Sequence, residues 1–276
     1  HDCDYSLNRA HSLACAEAEQ DIQATYFLNL HSEFYNLFER GQHRLVREII
    51  DMGHQIGLHF DAAFHGDPTE EQLSAQVRNE ADHLQDIFGE KLAAFSFHNP
   101  NASHLHCEEE AYGGLINCYS HRFKAEVPYC SDSNGHWRFR RLRDVLESAT
   151  DRCLQVLTHP GLWQKCAMPP RQRIFRSAYG RAIATMADYD AAISAHGREN
   201  LSGFAGAQVF LKNILPERHA LLEYLWMSGE VATLFVELWR LHESQISKLC
   251  KAVLVREWQV PTHEVNVFFE RSGLAI

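Results

Sequence analysis

Two rhythms of apolar residues alternate along the first half of this chain. Ala24 to Leu30 and Gln55 to Phe60 are short, nearly continuous apolar runs, the signature of buried strands. Between them, Leu45, Val46, Ile49 and Ile50 recur at helical spacing over His43–Met52, and Gly53 ends that helix. Ser6 reads as the N-cap of a helix from Leu7 to Gln20. Thr69 reads as the cap of a longer one, with Leu73, Val77, Ala81, Leu84 and Phe88 on one face until Gly89. Further strands are predicted near 93–98, 114–119, 127–131 and 153–158. Strands alternating with helices predict right-handed crossovers and a mainly parallel sheet. The expected fold is therefore α/β, a distorted (β/α) barrel of about seven mainly parallel strands with a C-terminal helical extension. The chain opens inside what reads as the end of a strand, so the rest of that strand is expected upstream of this numbering.

The texture changes at Pro169-Pro170. Helical periodicity dominates beyond it, Ala-rich over 181–195 and rich in Leu, Trp and Val over 219–241. The expected division is a barrel over 1–168 and a helical extension over 169–276. The 219–241 stretch is interrupted by Glu223, Glu230 and Glu237, so it reads as a buried amphipathic helix, and no uninterrupted apolar run has transmembrane length.

Composition narrows the class. With 276 residues, 45% apolar and 22% charged, the chain has the make-up of a soluble globular protein with a substantial core. A net charge of -10 argues against nucleic acid as a partner, because phosphate binding needs a basic face. The eight cysteines include no Cys-x-x-Cys pair, and Cys118 and Cys130 fall inside apolar runs. That usage fits buried, reduced thiols in a cytoplasmic protein.

The chemistry collects at the ends of the predicted strands. The chain begins His1-Asp2-Cys3-Asp4, and residues two apart in a strand face the same side. Asp2 and Asp4 can therefore converge, one to hold a metal and the other to take a proton from its water. Gly53-His54-Gln55-Ile56-Gly57-Leu58-His59-Phe60-Asp61, Ser96-Phe97-His98-Asn99-Pro100 and Leu157-Thr158-His159-Pro160 each set a histidine or carboxylate just after an apolar run. In mainly parallel α/β folds such strand ends carry the site.

These segments, in this order, resemble the polysaccharide deacetylase (NodB-homology) family of metal-dependent amide hydrolases. The branch they look most like is associated with surface-polysaccharide biosynthesis. The resemblance spans roughly residues 1 to 165. It implies Asp2 as the general base and Asp4 as a metal ligand, with His159 as the acid that protonates the leaving amine. Asp132, in Tyr129-Cys130-Ser131-Asp132-Ser133, falls where the family keeps an acidic residue that orients the base or acid. One departure stands out: the family's second metal histidine comes four residues after the first, and here that position is Ala63.

The expected ligands are Asp4, His59 and, for the third, His98 in preference to His65. His98 ends a strand on the same rim, whereas His65 needs the following loop to fold back. Mixed His and Asp ligands with an open position favour a divalent metal, zinc first. Asp61 is expected to orient a ligand, and His54, which precedes its strand, to be structural. The only dense basic run, Trp137 to Arg143, follows Asp132, and Trp137, Arg138 and Arg140 are candidates to grip an anionic part of a substrate.

The expected activity is removal of an N-acetyl or N-formyl group from a small, lipid-linked or nucleotide-linked amino sugar. Ala63 keeps a second reading open, a barrel without activity that binds carbohydrate. A third is metal-dependent hydrolysis of a non-sugar amide or a phosphoester.

Overall fold

The structure is a computed structural model in which residues 1–137, 139–164 and 168–198 are described. Helices and strands first alternate in the order α1 (Leu7–Ala18), β1 (Thr25–Leu28), α2 (Arg40–Asp51), β2 (Gln55–Phe60), α3 (Glu70–Phe88) and β3 (Ala94–Phe97). Then come the short β4 (Ala111–Tyr112), β5 (Leu115–Asn117), α4 (His121–Glu126), β6 (Tyr129–Ser131), α5 (Leu142–Ser148), β7 (Gln155–Leu157) and α6 (Pro170–Ala195).

Local signals account for the boundaries. Ser6 accepts a hydrogen bond from the Arg9 N–H and starts α1. Thr69 and Gln72 form a reciprocal capping box at α3, whose far end stops at Gly89 in the left-handed region, φ 70°. The apolar face of α3, from Leu73 to Phe88, packs onto the core, and Leu45, Val46 and Ile49 of α2 do the same.

The strands form two ladders rather than one closed sheet. Five run in the order β1-β2-β3-β5-β4, parallel except for the β4–β5 hairpin, and β6 pairs with β7 in a separate parallel pair. The chain's first residues stitch the two together. Asp2 bridges in parallel to Phe27 of β1, with the Cys3 N–H donating to the Phe27 carbonyl. On the other side the Asp2 N–H donates to the Thr158 carbonyl just after β7, at 2.9 Å. The expected seven-strand closed barrel is thus a mixed α/β arrangement with a mostly parallel five-stranded sheet. The five-stranded ladder ends at the β4–β5 hairpin, and β6 and β7, three residues each, pair only with each other.

Register is tight where it matters. Leu58, His59 and Phe60 of β2 pair with Phe95, Ser96 and Phe97 of β3. Gly57 permits this: a Cβ there would meet the Phe27 ring at 2.6 Å and the Ala94 carbonyl at 3.1 Å. The core between sheet and helices holds Tyr26, Leu28, Leu58, Phe60, Phe95 and Phe97, all almost fully buried.

Two compact units divide the chain, His1–Arg181 and Ala182–Ile276. The sequence placed the division at Pro169-Pro170; the first unit takes in the opening turns of α6, where Arg181 forks onto the Glu39 carboxylate and Arg173 donates to the Leu162 and Met168 carbonyls. The helix expected over 181–195 lies within α6. The one expected over 219–241 lies outside the described residues, and among the described residues no helix is long and apolar enough to cross a membrane.

Candidate metal centre

Each polar residue at the rim is set by the strand that precedes it. His59 stands on β2, and His98 follows β3 directly, its N–H donating to the Phe60 carbonyl at 2.8 Å. Asp132 follows β6 and donates its N–H to the Leu157 carbonyl, which brings it beside His159 after β7. Asp4 sits just before the cap of α1, and the Ser32 hydroxyl donates to its carbonyl.

Three ligand atoms meet. His59 Nε2 lies 2.9 Å from Asp4 Oδ1, His98 Nδ1 lies 3.2 Å from the same oxygen, and the two nitrogens are 3.1 Å apart. Facing ring nitrogens at that distance can share one proton at most, whereas a cation takes a lone pair from each. Ligands at about 2.0–2.2 Å around a tetrahedral ion stand roughly 3.3–3.6 Å apart, so this triangle is only slightly tight for one. Asn99 reinforces the fit. Its side-chain Nδ2 lies 2.9 Å from His98 Nε2, a contact that helps to fix the ring beside Asp4 and His59.

The electrostatics agree with the geometry. Burial pushes the Asp4 carboxyl up, but hydrogen bonds from His59 and His98 outweigh it and hold the group well below the usual carboxylate range. Burial works against protonated His59, yet the Asp2 charge and the Asp4 hydrogen bond raise its pKa overall.

Asp2 is elsewhere around this ring. Its Oδ1 lies 3.8 Å from His59 Nδ1, across the imidazole from the nitrogen that faces Asp4. Both of these atoms are buried without a hydrogen-bond partner, while Asp2 Oδ2 accepts from the Ser96 hydroxyl at 3.3 Å. Asp2 also lines a cavity of about 1000 Å³ bounded by residues of both ladders, a cavity that Asp4, His59 and His98 do not line.

Asp132 and His159 form a close pair. The His159 backbone N–H donates to the Asp132 carboxylate, and His159 Nδ1 lies 2.7 Å from Asp132 Oδ1. Trp163 completes the set, its indole N–H donating to Asp132 Oδ2 at 2.7 Å. With Nδ1 so held, His159 Nε2 turns toward Asp4, 3.8 Å from its Oδ2. Burial acts against the charged ring, but the Asp132 hydrogen bond and the charges of Asp2 and Asp4 raise the His159 pKa above the ordinary histidine value.

Other candidates are placed differently. His65 does not reach Asp4; it lies against Glu80 together with His31. Asp61 accepts from the Ala63 and Phe64 N–H groups and so shapes the turn after β2 instead of touching a ligand. His54 is structural, accepting from the Ala24 N–H and lying 3.0 Å from the Ala14 carbonyl. Arg140 pairs with Asp151 at 2.5 Å. Trp137 meets Trp163 edge-on with ring centroids 6.5 Å apart, and Arg138 lies outside the described residues. Trp163 escaped the sequence reading. Its signal was position, four residues after His159 across a tight turn at Pro160–Leu162.

Fold and site together define a class: a mixed α/β protein that gathers carboxylates and imidazoles where its parallel strands end. No family model matches the chain, and no curated protein matches it. Among solved structures, it is similar to a mutant of a CE4 family pseudoenzyme with restored enzymatic activity, at 13% identity and a TM-score of 0.35. The match covers 72% of this chain and 62% of that one, so the chain spans less than two thirds of its length.

Proposed function

We propose that this protein is a metal-dependent amide hydrolase that removes an acetyl or formyl group from an amino sugar. One observation carries the reading: Asp4, His59 and His98 converge within 3.2 Å of one another beside the Asp132–His159 pair. Those three would hold a divalent metal, zinc by its ligand preference, which would supply Lewis acidity toward the amide carbonyl and lower the pKa of a bound water.

The remaining chemistry belongs to the chain. Asp132 fixes His159 through Nδ1, which leaves Nε2 as the atom that exchanges protons beside the cluster. Its raised pKa keeps the ring protonated further into the neutral range, as a donor to a departing amine must be. In this reading the Asp2 charge, 3.8 Å behind the ring, strengthens His59 as a ligand, a positioning role taken in place of the base role expected from the sequence. Trp137 and Trp163 offer an aromatic wall against which the apolar face of a sugar ring can rest. The sugar, the surface-glycan setting and the cytoplasmic location rest on the motif resemblance and on cysteine usage. Arg140 is committed to Asp151, so recognition of an anionic group falls in this proposal to the other arginines of that run.

The test is acyl release from N-acetylated amino sugars by the metal-loaded protein, read as free acetate and free amine in equal amounts. Asp4→Asn should lose metal and activity together, and His159→Ala should keep its metal while kcat falls by about 10² to 10⁴. A metal-loaded parent that releases no acyl group from any amino sugar overturns the reading. It would favour instead the inactive carbohydrate-binding protein that Ala63 keeps open.

A further inference from the structure

A second group of side chains converges away from Asp4. His31 comes from the loop after β1, His65 from the turn after β2, and Glu80 from the middle of α3. Both imidazoles bring Nε2 to the same oxygen, Glu80 Oε1, His31 at 2.9 Å and His65 closer still. The Glu80 side chain is 4% exposed, whereas those of His31 and His65 are 22% and 19% exposed. The carboxylate thus forms a buried floor under a partly open rim.

The rings are locked in this orientation. His31 stacks on Phe64 with centroids 3.4 Å apart, and its backbone N–H donates to Asn29 Oδ1. His65 stacks on Phe60 at 5.2 Å, and the two imidazoles meet at 86°. Two N–H donors on one oxygen describe a hydrogen-bonded network only in part. The other carboxylate oxygen, Glu80 Oε2, is buried and has no hydrogen-bond partner. Leaving a charged acceptor unsatisfied in that way is costly, and a cation beside the carboxylate removes the cost. Gln76, one turn earlier on the same face of α3, also buries an amide oxygen without a partner.

The group is separate from the first centre. Consecutive strand residues face opposite sides, so Phe60, which packs on His65, points away from the side on which His59 meets Asp4. The cluster lies on the side of β2 that faces α3.

We propose that His31, His65 and Glu80 form a second divalent-cation site, one that fastens the loops after β1 and β2 to α3. Two imidazoles and one carboxylate select a first-row transition ion such as zinc or iron(II) over calcium and magnesium, which prefer all-oxygen shells. The site stands independently of the hydrolase reading.

The experiment is zinc stoichiometry on the full chain after chelation and reloading, read by elemental analysis. Glu80→Gln, which keeps the shape and an oxygen for the imidazoles, should bind one equivalent less than the parent. His31→Gln, on the more exposed loop, should do the same and serves if the buried change prevents folding. Asp4→Asn should lose a different equivalent, so that Asp4→Asn combined with His31→Gln loses both. If every folded member of the Glu80 and His31 pair keeps the parent's stoichiometry, the proposal is overturned, whatever Asp4→Asn does. Loss of zinc in Asp4→Asn alone would leave a single centre.

Discussion

Asp2→Asn is the substitution that separates two roles for the carboxylate behind His59. Asn keeps the shape and can still accept from the Ser96 hydroxyl, so what is removed is charge, 3.8 Å from His59 Nδ1 and 2% exposed. At an effective dielectric of about 20, a full charge pair at that distance is worth roughly 4 kcal/mol, which bounds the effect from above. A carboxylate that orients a ligating imidazole and raises its basicity typically contributes a 10- to 100-fold gain in metal affinity, about 1.4–2.7 kcal/mol. Asp2→Asn should therefore weaken zinc binding by that factor. Turnover should largely return once zinc is raised to saturation. Competition against a chromophoric chelator at neutral pH gives the affinity, and an acyl-release assay across zinc concentrations gives the rest. An unchanged affinity with collapsed turnover at saturating zinc would refute the positioning role and make Asp2 the proton acceptor.

The other expectations are more direct. Asp132→Asn removes the main influence that raises the His159 pKa, so the alkaline limb of the pH–rate profile should move to lower pH, toward the ordinary histidine value; a limb that stays in place would assign it to another group. The sign follows for stability as well: what protonated His159 contributes is complete below its ordinary pKa and is lost as pH rises through the raised one, so the parent's stability advantage over Asp132→Asn should shrink on going alkaline, as denaturant melts across pH would read. Gly57→Ala forces a methyl against the Phe27 ring and the Ala94 carbonyl and should destabilise by about 1–3 kcal/mol, read as a lower Tm. An unchanged Tm would mean that Phe27 has room to give.

Much of the first unit is legible in its sequence because its long elements carry redundant signals. β2 was predicted residue for residue, Gln55–Phe60, since both its faces are buried and the run is bounded by Gly53 and Asp61. α3 announced itself through period, cap and terminal glycine at once. The misses are short or non-local. β4 spans two residues and α4 and α5 less than two turns each, too brief for any period to show. Convergence of Asp4, His59 and His98 followed from strand-end position alone. The grouping of His31 with Glu80 did not, because forty-nine positions separate them. One clue was present: Glu80 falls on the buried face of α3, between Val77 and Leu84, where an acid has no reason to be without partners.

The stitch between the two ladders also has a consequence in time. Asp2 pairs with Phe27 on one side and Thr158 on the other, so the first strand-like residues wait for nearly the whole unit before their second partner exists. Contacts of such long sequence separation form late, since the intervening loop must be closed first. β1, β2 and β3 need only neighbouring crossovers, and they carry His59 and His98. As the chain leaves the ribosome, the ligand triangle can therefore assemble on a partly built sheet. The Asp132–His159 pair arrives only with β6 and β7, so it joins the Asp4–His59–His98 triangle late.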